Sequence, residues 1–122
     1  MKKLLTLIII LFPLITFSQV IQQDFDALVA LYNSTNGNNW DDNTNWSISV
    51  NNVSNNWYGI TVVGDRVTEI NLSYNNLTGS IPSEIGLLTA LEQLYLGGND
   101  ISNSIPTEVQ NLGLVFFRSS LF

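Results

Sequence analysis

The sequence predicts an α/β solenoid, with short parallel strands stacked coil on coil along a concave face and a helix-plus-hairpin cap in front. Three observations carry this reading. Residues 67–90 laid over residues 91–114 match at a constant offset of 24. Within the two units Ile70/Leu72 and Leu94/Leu96 alternate as strand residues with one buried side do. Before them the pattern is first helical, at Phe25, Leu28, Leu31 and Tyr32, and then β-rich from Gly59 onward. Self-similarity at a period of 20–50 residues marks chains in which each unit buries its apolar side only against the next.

The chain opens with Lys2 and Lys3, an apolar run from Leu4 to Phe17, and Ser18 before Gln19. A basic start, an apolar stretch and a small residue at the cut define a secretory signal peptide, placed at residues 1–18. The alternative is an uncleaved anchor, but the run is short for a span of ~20 residues and Pro13 interrupts it. Membrane attachment is expected only if this segment is retained. The address is then secreted or cell surface. Without the two lysines, Arg66 and Arg118 stand against ten acidic residues, a net charge of −8. That balance excludes nucleic acid and anionic membrane surfaces as partners. The absence of histidine and cysteine excludes disulfides, thiolate nucleophiles, zinc sites of the usual kind and His-dependent triads.

Residues 19–66 read as one capping unit. The helix begins at Asp24, with Asp24 and Asp26 at its favourable N-terminal end, and stops near Asn33 because Asn36-Gly37 breaks it. Residues 33–56 are polar but hold Trp40 and Trp46, with Trp57 just beyond. Rings that each offer ~200 Å² to bury are expected to fold this loop back onto the core. The competing reading is an aromatic platform for carbohydrate. Asp41-x-Asn43-x-Asn45 partly copies a calcium loop. Trp46 stands where that loop needs glycine and Asn52 where it needs a bidentate glutamate, so no metal and no cofactor is expected. Five Asn-x-Ser/Thr sequons, at Asn33, Asn45, Asn52, Asn71 and Asn76, matter only in a glycosylating host. Gly59–Val63 and Arg66–Leu72 form a hairpin through Gly64-Asp65.

Residues 67–114 hold the two repeats. The columns pair Val67 with Leu91, Ile70 with Leu94, Leu72 with Leu96, Asn75 with Asn99, and Leu77 with Ile101. They continue with Ile81-Pro82 and Ile105-Pro106, Glu84 and Glu108, and Leu88 and Leu112. A buried asparagine where the strand turns can bond the free backbone groups of its own coil and its neighbour, forming a ladder. Gly79 and Asn103 tolerate a left-handed turn. The prolines suit the first turn of a short helical segment, with the glutamates at its positive end. Leu88 and Leu112 close the core from the convex side.

The motif Leu91-x-x-Leu94-x-Leu96-x-x-Asn99-x-Ile101 resembles the leucine-rich-repeat signature, and Leu77-Thr78-Gly79-Ser80-Ile81-Pro82 resembles its plant-type subclass. That subclass occurs in plant receptor ectodomains, inhibitor proteins and secreted bacterial proteins. Ala27-Leu28-x-x-Leu31-Tyr32, Thr35-Asn36-Gly37-x-Asn39-Trp40, Trp46 and Trp57-x-Gly59-Ile60-Thr61 resemble the family's N-terminal cap. Plant caps commonly carry cysteines where Asn55 and Val62 stand here, so this cap is expected to hold by packing alone, and the chain looks more bacterial than plant. The resemblance implies an exported binding module that recognises a protein or peptide through its concave face.

On that face the strand residues pointing away from the core are Glu69, Asn71 and Ser73, then Gln93, Tyr95 and Gly97. Stacking places 69 beside 93, 71 beside 95 and 73 beside 97. These are the expected ligand-binding residues. An enzyme is not expected: after residue 18 the chain has no His, Cys or Lys, and Glu69 and Glu92 lie on a shallow face rather than across a cleft.

Residues 115–122 depart from the pattern and read as an incomplete third repeat or a C-terminal end. A coil starting at Val115 puts Arg118 and Ser120 in core columns; one starting at Leu114 recovers Phe117 and leaves Ser119 there. The chain is therefore read as the start of a longer protein, broken near Gly113. Val115, Phe116, Phe117, Leu121 and Phe122, if uncovered, predict self-association through this end. The rival readings are carbohydrate binding by the Trp-rich cap and a non-functional fragment of a longer receptor or adhesin.

Overall fold

The computed structural model describes residues 19–101 and 104–114, together with the backbone of 116–118. Residues 1–18, expected to be a signal peptide, and residues 119–122 lie outside the described residues, as do Asn103 and the remainder of the C-terminal expectation.

Helix α1 spans Gln22–Ser34, starting two residues before the expected Asp24. It ends where the Thr35 N–H and hydroxyl both return to the Leu31 carbonyl, at 3.1 and 2.6 Å, and Asn36 turns left-handed with φ 62°. Phe25, Ala27, Leu28 and Leu31 face the core. Asp24 sits in the first turn, as expected at the positive end of the helix, and is buried as well. Its carboxylate accepts two hydrogen bonds from the Arg66 guanidinium, at 3.1 and 3.2 Å, and one from the Val67 N–H at 2.9 Å. A buried carboxylate needs such partners, and these three tie α1 to the start of the repeats.

The hairpin forms as its residues require. Strand β1 (Ile60–Val63) pairs antiparallel with β2 (Arg66–Asn71), and Gly64 takes φ 64° in the turn. Beyond it the main sheet is parallel. β2 pairs with β4 (Gln93–Tyr95), and β4 with β6 (Phe116–Arg118), giving the order β1-β2-β4-β6. Between β2 and β4 the predicted offset of 24 holds: Glu69 faces Gln93, Ile70 faces Leu94, and Asn71 faces Tyr95. Between β4 and β6 it slips to 23, so Phe117 continues the Leu94 column and Arg118 the Tyr95 column. Of the two frames open to the third strand, the backbone takes the one counted from Leu114.

On the opposite side β3 (Thr78–Gly79) pairs in parallel with β5 (Asp100–Ile101), with Thr78 opposite Asp100, an offset of 22. Gly79 therefore stands opposite Ile101 and not at a 24-residue step. Parallel ladders are slanted, so the residue facing across a bond differs from the one stacked in the core. The prolines also shift by one place: Pro82 and Pro106 immediately precede the helical segments, a 3₁₀ turn at Ser83–Leu87 and α2 at Thr107–Gln110.

Ile70, Leu72, Leu77, Ile85, Leu88 and Leu94 are each wholly inaccessible, and Leu28 and Leu31 of α1 extend the same core. Burial of that kind stabilises by about 2–3 kcal/mol per large aliphatic side chain. Leu112, expected to close the core as Leu88 does, is only half-buried. Coil two covers Leu88, whereas no described coil lies over Leu112. Gly79 marks the tightest joint between helix and repeats. It has φ +95°, and a Cβ there would overlap the Ser34 carbonyl.

Candidate concave binding face

The face starts from strand alternation. With Ile70, Leu72, Leu94 and Leu96 turned inward, their neighbours turn outward. Bonds from the Glu92 N–H to the Thr68 carbonyl, Leu72 to Tyr95 and Tyr74 to Gly97, each 2.9 Å, carry the ladder past the short strands on both sides. All six expected residues therefore lie on one surface, with Ser73 beside Gly97. Asn71 is exposed and the other five are half-buried. The backbone register extends these rows across the sheet. One row runs Thr61, Glu69, Gln93, Phe116, and the next runs Asn71, Tyr95, Arg118. A strict period pairs 117 and 119 with Gln93 and Tyr95; the slip to 23 pairs 116 and 118 with them instead.

An asparagine ladder stiffens the rim of this sheet. The Asn99 side-chain oxygen accepts from the N–H groups of Asn75 (2.9 Å) and Leu77 (3.0 Å), and its amide donates to the carbonyls of Leu72 and Leu96. Asn75, buried, repeats this one layer on: its oxygen accepts from the Asp42 N–H at 2.7 Å and its amide donates to the Asp42 carbonyl at 2.8 Å. The loop around Asp42 thus serves as the layer before the first repeat. Sequence reasoning placed both asparagines but not Asp42, which lies 33 residues from its partner and so outside the period.

The same loop ties down two of the three side chains that resemble a calcium motif, Asn43 and Asn45, together with Asp42. The Asp42 carboxylate accepts the Thr44 N–H at 2.9 Å, Asn43 donates to the Gly37 carbonyl, and Asn45 donates to the Asn56 carbonyl. The Thr44 hydroxyl and N–H hold the Asp42 carboxyl below the ordinary carboxylate range. Among the described residues no group of three or more His, Cys, Asp or Glu side chains is placed to hold a metal ion.

The tryptophans form one cluster with Tyr32 and Phe25. Trp40 and Trp46 meet edge to face at 4.8 Å, Trp46 and Trp57 lie 4.8 Å apart, and Tyr32 stacks on Trp46 at 5.9 Å. Trp40 and Trp57 are buried, and Trp46 is half-buried between them. Each indole N–H is satisfied inside the fold: Trp40 by the Thr35 carbonyl, Trp46 by the Tyr58 carbonyl, and Trp57 by the Asn52 side-chain oxygen. Packing alone was expected to hold this unit where related caps have cysteines. A direct bond adds to it, as the Asn55 side-chain oxygen accepts the Val62 N–H at 2.6 Å.

Comparison with known proteins agrees with this architecture. The family model for leucine rich repeats, in two copies, matches residues 65–107. The receptor-like kinase TMK4 of Arabidopsis thaliana is 30% identical over 105 residues, covering 84% of this chain and 10% of that protein. Among solved structures, that of PEPR1–AtPEP1 is similar at 25% identity and a TM-score of 0.56, covering 75% of this chain and 13% of the other. The BIR3–SERK2 complex of Arabidopsis thaliana is similar at 28% identity and a TM-score of 0.57, covering 68% of this chain and 46% of the other. The chain carries leucine-rich repeats in a solenoid fold. It spans about a tenth of the length of the curated relatives it matches.

Proposed function

We propose that this leucine-rich-repeat chain is an exported binding module that recognises a protein or peptide through Glu69, Asn71, Ser73, Gln93, Tyr95 and Gly97. The observation that carries the reading is the register. It sets Glu69 beside Gln93 and Asn71 beside Tyr95 on one face of a parallel strand pair, and stacked repeats use such extended faces for recognition. Similarity to a BIR3–SERK2 complex and to PEPR1–AtPEP1 supports a protein or peptide partner. The kinase activity in a relative's name belongs to a whole protein of which this chain matches a tenth. Burial of Trp40 and Trp57 weighs against the carbohydrate platform.

Export rests on Lys2, Lys3 and the apolar run to Phe17, and similarity to a receptor-like kinase supports it. No helix among the described residues is long and apolar enough to cross a membrane. N-terminal sequencing of exported chain should begin at Gln19; a start at Met1 overturns cleavage. For the face, a displayed peptide library selected on the chain supplies ligands. A Glu69→Ala/Gln93→Ala/Tyr95→Ala variant should weaken them at least tenfold while keeping the wild-type melting transition. Unchanged affinity in the folded variant sinks the concave-face reading.

A further inference from the structure

We propose that Tyr74, seated on Gly98, is a rim site beside the concave face that takes an arginine side chain of the partner. This deepens the concave-face reading and rests on it, since one partner would occupy both surfaces. Positions 74 and 98 are equivalent at the 24-residue step, and both adopt the left-handed backbone, with φ 52° and 71°. Glycine takes that conformation freely and an L-residue does not. The second repeat uses glycine, whereas the first uses a tyrosine that remains 81% exposed, so burial does not offset the cost. Its ring is nevertheless held. A Cβ at Gly98 would overlap the Tyr74 ring, so the missing side chain at 98 is what seats it. An aromatic fixed in place and open to solvent is the kind of residue that anchors interfaces.

The surroundings select a cation. On one side the Asp41 N–H donates to the Asn75 carbonyl at 3.1 Å, which places the exposed Asp41 in the layer next to Tyr74. Further along the rim the exposed Asp100 donates its N–H to the Leu77 carbonyl at 2.9 Å, three residues past Tyr74. Arg66 is the single cation among the described side chains, and Asp24 engages it in an ion pair at 3.1 Å. A guanidinium lying on the tyrosine face gains cation–π attraction, and an acidic residue in the adjoining layer, Asp41, favours its charge.

The test is NMR titration of the chain with N-acetyl-arginine amide, using N-acetyl-citrulline amide as the neutral isostere. The arginine amide should give saturable shifts at the Tyr74 ring and the Gly98 amide, with citrulline at least fivefold weaker. Tyr74→Phe should keep the response and Tyr74→Gly, which suits the backbone, should abolish it. Tyr95→Ala should leave the response intact, which separates the rim from the concave face. Absence of saturation at Gly98, equal response to citrulline, or a response surviving in Tyr74→Gly overturns the proposal.

Discussion

Asn99 bonds two layers at once, and that makes it worth more than an ordinary polar side chain. Replacing it with alanine strands the N–H groups of Asn75 and Leu77 and the carbonyls of Leu72 and Leu96. Unsatisfied buried groups cost about 1–3 kcal/mol each before relaxation. Asn99→Ala should therefore lose about 2–4 kcal/mol in a urea titration, and Asn99→Asp should recover only the acceptor share. Asp24 makes the second residue-scale prediction. Asp24→Ala leaves the Val67 N–H without its acceptor and the Arg66 guanidinium with the Thr89 hydroxyl but no carboxylate, a loss of about 3 kcal/mol. The pair also raises the Arg66 pKa above its ordinary value, chiefly through the hydrogen bond to Asp24. A raised pKa stabilises fully below the unfolded value and is lost only in strong alkali, so Arg66 adds no pH dependence near neutrality. Asp42 behaves oppositely. Its folded pKa lies below the ordinary 3.8 because of the Thr44 hydroxyl and N–H, so its contribution is present above that value and lost as pH falls through the lower, folded one. Urea midpoints measured below pH 4 should fall more steeply for wild type than for Asp42→Asn, which keeps an oxygen for Thr44.

At the scale of elements, the joint between α1 and the first repeat depends on one glycine. Gly79 combines φ +95° with a Cβ position occupied by the Ser34 carbonyl. Gly79→Ala must move backbone and should cost about 2 kcal/mol or more, read as a lower melting temperature. Gly64→Ala is the control: its φ is also positive, but nothing lies within 4 Å of the added carbon. It should cost only the conformational share, about 1 kcal/mol. At the hairpin edge, Asn55 supplies an acceptor for Val62 that no pattern of apolar residues announces. The helix, the hairpin and both repeat strands were legible in the sequence, because alternation, helical spacing and Gly64-Asp65 act locally. The β6 frame was not, because a 24-residue count cannot say where a strand shortens its step to 23.

At the scale of the whole molecule, each layer is stable because the next one covers it. Leu88 is inaccessible beneath coil two, while Ile105, Leu112 and Leu114 are half-buried along a cleft of about 320 Å³ shared with Val109 and Gln110. This apolar row predicts concentration-dependent association, measurable by sedimentation velocity, with Leu112→Glu shifting the chain toward monomer. A Leu94→Ala substitution, one layer deeper, should instead cost about 2–5 kcal/mol without changing association.

The sequence by itself determined the repeat, its core columns and the outward residues of the concave strands. Those follow from a period and an alternation written into neighbouring residues. Only the tertiary structure decided which partners the buried polar groups take: Arg66 for Asp24, Asp42 for Asn75, and the Thr35, Tyr58 and Asn52 oxygens for the three indoles. It also decided that Tyr74 rests on Gly98. Hydrogen bonds are directional and join residues far apart in the chain, so their pairing is settled by how the layers stack, whereas apolar burial needs only the right face.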